Sequence, residues 1–213
     1  MRSKDEILAL LKEAVMRYDK KLAVSAATEA VRMGISPAEA IEKGLGAGMA
    51  EISDMFNEGR MFLPQVLAAS QAMSQAINIY ERHMGEEKIP SKGVVVIGTV
   101  EGDIHEIGKH VVSAFLRSAG FLVYDLGKDV PPHLFTQAAK EMNASIVGAS
   151  ALMTTTLVGQ RKIIERLKEE KLFNVKTIFG GACCTSKWVE NIGGDAYCEC
   201  GSMVVQRVNA LMM

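Results

Sequence analysis

One segment of the chain combines residue types whose spacing can do chemistry. In Gly98-Thr99-Val100-Glu101-Gly102-Asp103-Ile104-His105-Glu106-Ile107-Gly108, a carboxylate stands two residues before an imidazole. In a loop, that spacing lets Asp103 accept the N–H of one ring nitrogen of His105. The other nitrogen then faces outward as an oriented and more basic lone-pair donor. Such a pair can serve a metal or act as an oriented base; the alternative is an ordinary exposed histidine held by a hydrogen bond. The segment is not a GxGxxG dinucleotide fingerprint, and it lacks the P-loop Lys followed by Ser or Thr. A second group is Cys183, Cys184, Cys198 and Cys200, all in the last fifth of the chain. Adjacent Cys-Cys and Cys-x-Cys are poor matches to structural zinc spacing. Without a secretory segment they are expected to be reduced thiols.

The elements that must hold these residues change character once along the chain. Residues 1 to about 84 read as four helices. Ser3 with Glu6 forms a capping-box pattern, followed by Ile7, Leu8, Leu11, Val15 and Tyr18 at helical spacing. A second helix runs from about Lys21 to Met33. A third starts at Ser36-Pro37 and continues past Phe56, and a fourth runs from near Pro64 to about His83. Gly44, Gly46 and Gly48 crowd the third helix, which close packing against a neighbouring helix or a bound ring would explain. Residues 85 to 92 are polar, contain Pro90 and read as a linker.

Beyond the linker, short apolar runs alternate with helical stretches. Strands are predicted at Val94–Ile97, Phe121–Leu126, Ala144–Ala149, Val175–Phe179 and, more weakly, Asp195–Cys198. Helices are predicted at Ile107–Ser118, Pro132–Met142, Thr155–Glu170, Ser186–Ile192 and Ser202–Met213. Five alternating units argue for an open, doubly wound parallel sheet, whose ligands bind beyond the strands' carboxyl ends. Asp103 and His105 fall there.

Composition sets outer bounds. The 213 residues are 48% hydrophobic and 23% charged, ordinary globular usage, with a net charge of −1 that offers no global attraction for nucleic acid. No apolar run approaches the ~20 residues that span a bilayer. The amino terminus meets charge at once, so the chain reads as soluble and cytoplasmic.

The loop resembles the Asp-x-His-x-x-Gly signature of cobalamin-binding domains, as in methionine synthase and the corrinoid proteins of methyltransferase systems. The family continues with Ser-x-Leu and then Gly-Gly, which Ser150-Ala151-Leu152 and Gly180-Gly181 match in order and spacing. The segment Phe56-Asn57-Glu58-Gly59-Arg60-Met61-Phe62-Leu63-Pro64-Gln65-Val66 looks like the family's helical cap. The resemblance implies a four-helix cap at 1–88, followed at 92–213 by a five-stranded, parallel, Rossmann- or flavodoxin-like cobalamin-binding domain. It implies a cobalamin or related corrinoid, passing between methylcob(III)alamin and cob(I)alamin. His105 would be the lower axial ligand of cobalt, with Asp103 tuning it and the pair taking up a proton when the ring is released. Asp103, Ile104, His105, Glu106, Gly108, Ser150, Leu152, Thr154, Gly180 and Gly181 would contact the cofactor. Tyr197 would border its nucleotide tail. Phe56, Phe62, Leu63, Val66 and Glu42 match cap positions over the methyl-bearing face; bundle core, or for Glu42 a solvated face, is the ordinary alternative.

A free-standing carrier of this kind implies a donor-specific methyltransferase as one partner. The donor would be a methylamine, betaine, methanol or an aryl methyl ether. A second methyltransferase with a tetrahydrofolate or thiol acceptor and a reductive activase would complete the system, with no nucleic acid and no membrane, and the linker acting as hinge. The alternative is a corrinoid-sensing or storage module without methyl transfer. A DNA-binding sensor would add a basic helix-turn-helix, and the mixed charge of the first helices does not suit one.

Overall fold

The structure is a computed structural model that describes residues 2–84 and 91–213. Most of the expected linker, residues 85–90, lies outside them. Two compact units form: Met1–Lys92 with Arg117–Gly120, and Gly93–Leu116 with Phe121–Met213.

The first unit is helical. Helix α1 (Lys4–Met16) starts at a complete capping box, in which Glu6 N–H donates to Ser3 Oγ and Ser3 N–H to Glu6 Oε2. Helix α2 (Lys20–Arg32) is capped by the Asp19 carboxylate. Its buried face is all alanine (Ala23, Ala26, Ala27 and Ala30), so it packs closely on α1 and on α5 (Leu63–Met84). The predicted third helix is not uniform. A single turn, α3 (Pro37–Glu39), widens into a π-helical segment (Ala40–Leu45) before α4 (Gly46–Asn57).

The three glycines explain that widening and the packing around it. Gly46 N–H closes the wide turn onto Ile41 O, where a Cβ would stand 2.6 Å from that oxygen. A Cβ on Gly44 would stand 3.0 Å from Leu11 Cβ. One on Gly48 would lie 2.8 Å from Lys12 O and 3.0 Å from Val15 Cβ. For Gly44 and Gly48 the neighbour is therefore α1.

The second unit is an α/β sheet. Strands β1 (Val94–Thr99), β2 (Leu122–Asp125), β3 (Ile146–Ser150), β4 (Lys176–Gly180) and β5 (Ala196–Cys198) pair in parallel in the order β2-β1-β3-β4-β5. The order reverses between β1 and β3, which makes their carboxyl ends the switch point where such sheets bind ligands. Helices α6 (Ile107–Ser118), α7 (Pro132–Glu141), α8 (Val158–Glu169), α9 (Ser186–Ile192) and α10 (Val204–Leu211) complete the unit. One sheet face is a dense core of Val96, Val147, Ala149 and Phe179 against Phe135, Ile163 and Leu167. On the other face Ile97, Gly148 and Ile178 share a register row, and Gly148 leaves a recess between the two isoleucines.

Four boundaries differ from the pattern in a way that matters. Strands β1, β3 and β4 run on to Thr99, Ser150 and Gly180, carrying regular backbone to the edge of the site. Helix α8 begins at Val158, not Thr155, because residues 154–157 form a turn. No helix among the described residues is long and apolar enough to cross a membrane.

Gly48→Ala should lower the urea midpoint of the helical unit, followed by far-ultraviolet circular dichroism. Overpacking against backbone costs roughly 1–3 kcal/mol and outweighs a helix-propensity gain of about 1 kcal/mol. An unchanged or raised midpoint would show that α1 yields.

Candidate functional site

The Asp103 carboxylate is fully buried, and five donors converge on it. Oδ1 accepts from the backbone N–H of His105 at 3.0 Å and lies 2.7 Å from His105 Nδ1. Oδ2 accepts from Leu152 N–H at 2.7 Å, Met153 N–H at 3.4 Å and Thr156 Oγ1 at 2.9 Å. Burial pushes the carboxyl pKa up, but the bonds from the His105 amide, the Leu152 amide, the His105 ring and the Thr156 hydroxyl more than offset that. They hold it down at about 2. An ionised carboxylate only accepts, so the proton of the Asp103–His105 bond belongs to Nδ1. The lone pair is therefore on Nε2, which has no partner among the described residues, and the side chain is 47% exposed.

The two oxygens of Asp103 thus join the loop after β1 to the loop after β3. Further bonds stiffen the junction. Asp129 N–H donates to Asp103 O at 3.0 Å, and Gly102 N–H donates to Asp129 Oδ1 at 2.7 Å. Thr99 Oγ1 donates to His105 O at 3.2 Å and lies 3.3 Å from Ser150 Oγ. Below the loop, the buried ammonium of Lys109 pairs with Asp125, which also accepts from Gly127 N–H at 2.9 Å. That pair fixes the start of α6 to the end of β2.

Beside His105 a cavity of about 670 Å³ enters the sheet unit along the face holding the Gly148 recess. Of the predicted residues, Ile104, His105, Glu106, Gly108, Ser150, Leu152, Gly180, Gly181 and Tyr197 line it. Val112 of α6 and Val204 of α10 complete an apolar wall. Gly181 has φ +121°, and a Cβ there would sit 1.9 Å from Ala151 O; a Cβ on Gly180 would sit 2.7 Å from Cys198 O. The glycine pair therefore makes a tight strand-to-loop connection and a wall without side chains at once. Ile104 and Ile107, 66% and 63% exposed, surround the imidazole with apolar surface.

Other predicted residues stand elsewhere. Thr154 is exposed on the turn before α8 and does not line the cavity. Thr156, two residues on, makes the bond to Asp103; three consecutive threonines do not reveal which hydroxyl turns inward. In the helical unit Phe62 is 72% exposed, Phe56 and Leu63 are half-buried, Glu42 is exposed on the π-helical segment and Val66 is fully buried. The four cysteines are free thiols: Cys198 and Cys200 line the cavity, Cys184 is buried and Cys183 is half-buried. Thr99 and the Lys109–Asp125 pair went unmarked in the pattern, although Lys109 directly follows the motif glycine.

Comparison with known proteins gives the family. Residues 93–201 match the family described as "B12 binding domain", and residues 7–81 match a second family of the same description. The chain is 50% identical over 212 residues to dimethylamine corrinoid protein 1 of Methanosarcina acetivorans, covering 99% of each. It is 47% identical over 216 residues to trimethylamine corrinoid protein 1 of the same organism, covering 100% of each. Its fold resembles a chain of the methanol:cobalamin methyltransferase complex from Methanosarcina barkeri, with a TM-score of 0.88 and 28% identity, over 99% of this chain and 81% of that one.

Thr156→Val, which removes the hydroxyl and keeps the shape, should destabilise the sheet unit at neutral pH by roughly 1.5–3 kcal/mol, the worth of a bond to a charged group. Thr156→Ser should recover most of it. Asp103 titrates below the ordinary carboxylate value near 4, so its stabilisation is present above that value and lost as pH falls through about 2. The Thr156→Val deficit should shrink over that acidic window in urea titrations; a pH-independent deficit would assign it to packing.

Proposed function

The chain belongs to the family of B12-binding corrinoid proteins, and we propose that it carries a methyl group between two methyltransferases of a methylamine-using system. Its cofactor is a corrinoid, and the residues fit one. His105 Nε2 offers a single unengaged nitrogen of fixed tautomer, among apolar side chains that an apolar ring edge would cover. The glycine-walled cavity beside it provides a slot for a nucleotide tail. When bound, the corrinoid supplies a cobalt centre that takes a methyl group from one partner and yields it to another.

The protein's own residues prepare that centre. Asp103 keeps the proton on Nδ1 and the lone pair on Nε2, so the imidazole meets the metal as a neutral, oriented ligand. Asp103 is immobile because Leu152, Met153 and Thr156 hold its second oxygen, so the ring cannot drift with the β1 loop alone. Ser150, linked through Thr99 to the carbonyl of His105, places a hydroxyl on the wall of the slot. Ile104, Ile107 and Leu152 present apolar surface that would exclude water from the ring nitrogen once a corrinoid covers it.

The observation that carries this reading is the Asp103–His105 pair with Nε2 open at the mouth of a cavity, in a chain that full-length relatives named for methylamine corrinoid proteins match along its whole length. From those names we take dimethylamine or trimethylamine as the donor. A second methyltransferase using a folate or thiol acceptor and a reductive activase are the further partners.

The test is to load the protein with hydroxocobalamin, reduce it, and supply each methylamine with its donor-specific methyltransferase while following visible absorption. Methylation should occur with dimethylamine or trimethylamine; no spectral change with any methylamine pair would refute the carrier role. In the same material His105→Ala should keep some corrinoid but lose the histidine-ligated spectrum, and an unchanged spectrum would remove His105 from the metal.

A further inference from the structure

Gln160, on the first turn of α8, is fully buried and does not line the cavity, yet its carboxamide is saturated. Nε2 donates to Ala149 O at 3.1 Å and to Gly180 O at 3.0 Å. Oε1 accepts from Trp188 Nε1 at 2.9 Å and from Cys184 Sγ at 3.5 Å. The two N–H groups and both lone pairs of one amide are thereby used.

Each partner bears on the cavity wall. Ala149, next to last in β3, and Gly180, the last of β4, both line the cavity with the residues that follow them, Ser150 and Gly181. Beyond that point the ladder stops, apart from Ala151 N–H donating to Gly180 O at 3.1 Å. Gln160 adds a side-chain brace to the strand ends where the ladder finishes. Its other end holds the far side of the β4 loop, through the Cys184 thiol and the Trp188 indole of α9. Trp188 is itself fixed, because its backbone N–H donates to Thr185 Oγ1 at 3.1 Å and Arg161 lies 5.0 Å from the ring centre. The segment Gly181–Thr185 is therefore bracketed at both ends by a single side chain.

We propose that Gln160 is a positioning residue for the nucleotide-tail slot: it sets the gap between Ser150 and Gly181 and so governs affinity for corrinoids that carry a tail. The assignment rests on the corrinoid reading above. Gln160 makes no bond to Asp103 or His105, so its action on the slot is separable from axial ligation. Replacement by an apolar side chain of similar length removes one of the two donors to Gly180 O and frees Ala149 O, the Trp188 indole N–H and the Cys184 thiol from this amide, at about 1 kcal/mol or more for each group left unmet. The Gly181 loop has room to shift toward the cavity.

The experiment compares binding of cobalamin and of cobinamide, a corrinoid without the nucleotide, by wild type, Gln160→Met and Trp188→Phe. Visible titration supplies affinities and a thermal melt reports folding. Wild type should prefer cobalamin. Gln160→Met should lose cobalamin affinity by about tenfold or more while binding cobinamide within about twofold of wild type. Trp188→Phe, which keeps an aromatic ring and removes the donor to Oε1, should show a smaller loss of the same selectivity, and it decides the matter if Gln160→Met does not fold. Either variant saturated with cobalamin should keep the wild-type axial-ligand spectrum. Equal losses for both corrinoids, or no loss for either, would overturn the proposal. A wild type that binds both equally would instead remove the tail from the cavity and overturn the slot itself, and a wild type that binds neither would overturn the corrinoid reading.

Discussion

A negative charge buried without access to water is tolerated only when donors converge on it, and the sheet unit is organised around meeting that condition for Asp103. The donors come from two loops that share no sequence neighbourhood: the amide and ring of His105, and the amides of Leu152 and Met153 with the hydroxyl of Thr156. The carboxylate therefore decides at once which nitrogen of His105 carries a proton and how the β1 loop lies against the β3 loop. Residues 154–157 form a turn that brings the Thr156 hydroxyl to Asp103 before α8 begins.

The switch point of the sheet makes this convergence geometrically possible. Only between β1 and β3 do two adjacent strands send their connections to opposite sides, and there a ring nitrogen can stand free beside an opening into the unit. The same opening needs walls without side chains. Gly148 supplies a recess between Ile97 and Ile178, and Gly180 and Gly181 let the β4 end pass within contact of Cys198 and Ala151. The buried Lys109–Asp125 pair and the saturated Gln160 amide brace this opening from opposite sides. They are polar groups inside a protein, and the common reason is that strand ends and helix starts there carry backbone groups with no ladder left to join.

Much of this was legible in the residues. The change of hydrophobic period after residue 92 separates a helical stretch from an alternating one, and helices Ile107–Ser118 and Ser186–Ile192 have the same limits in pattern and structure. Asp103 and His105 stand out because a two-residue offset is a local relation, and local relations survive in sequence. What did not show depends on through-space geometry. Thr156 lies fifty-odd positions from Asp103, and nothing in three successive threonines marks which one faces inward. Lys109 finds its partner on a neighbouring strand. The π-helical turn at Ala40–Leu45 arises from a Gly46 bond to Ile41, which a regular helical period hides, and the glycines beside it answer to α1. Gln160 reads as one more polar residue on an amphipathic helix until the ends of two strands are placed against it.

The claim on which the rest stands is that His105 Nε2, oriented by Asp103, is the protein's ligand to cobalt. Electron paramagnetic resonance of the loaded, singly reduced protein grown on histidine labelled with the heavier, spin-one-half nitrogen isotope tests it most directly. The account predicts that each cobalt line, split into a triplet by an ordinary nitrogen ligand, becomes a doublet on labelling. Triplets that persist unchanged would show the corrinoid's own base on the metal and contradict the account.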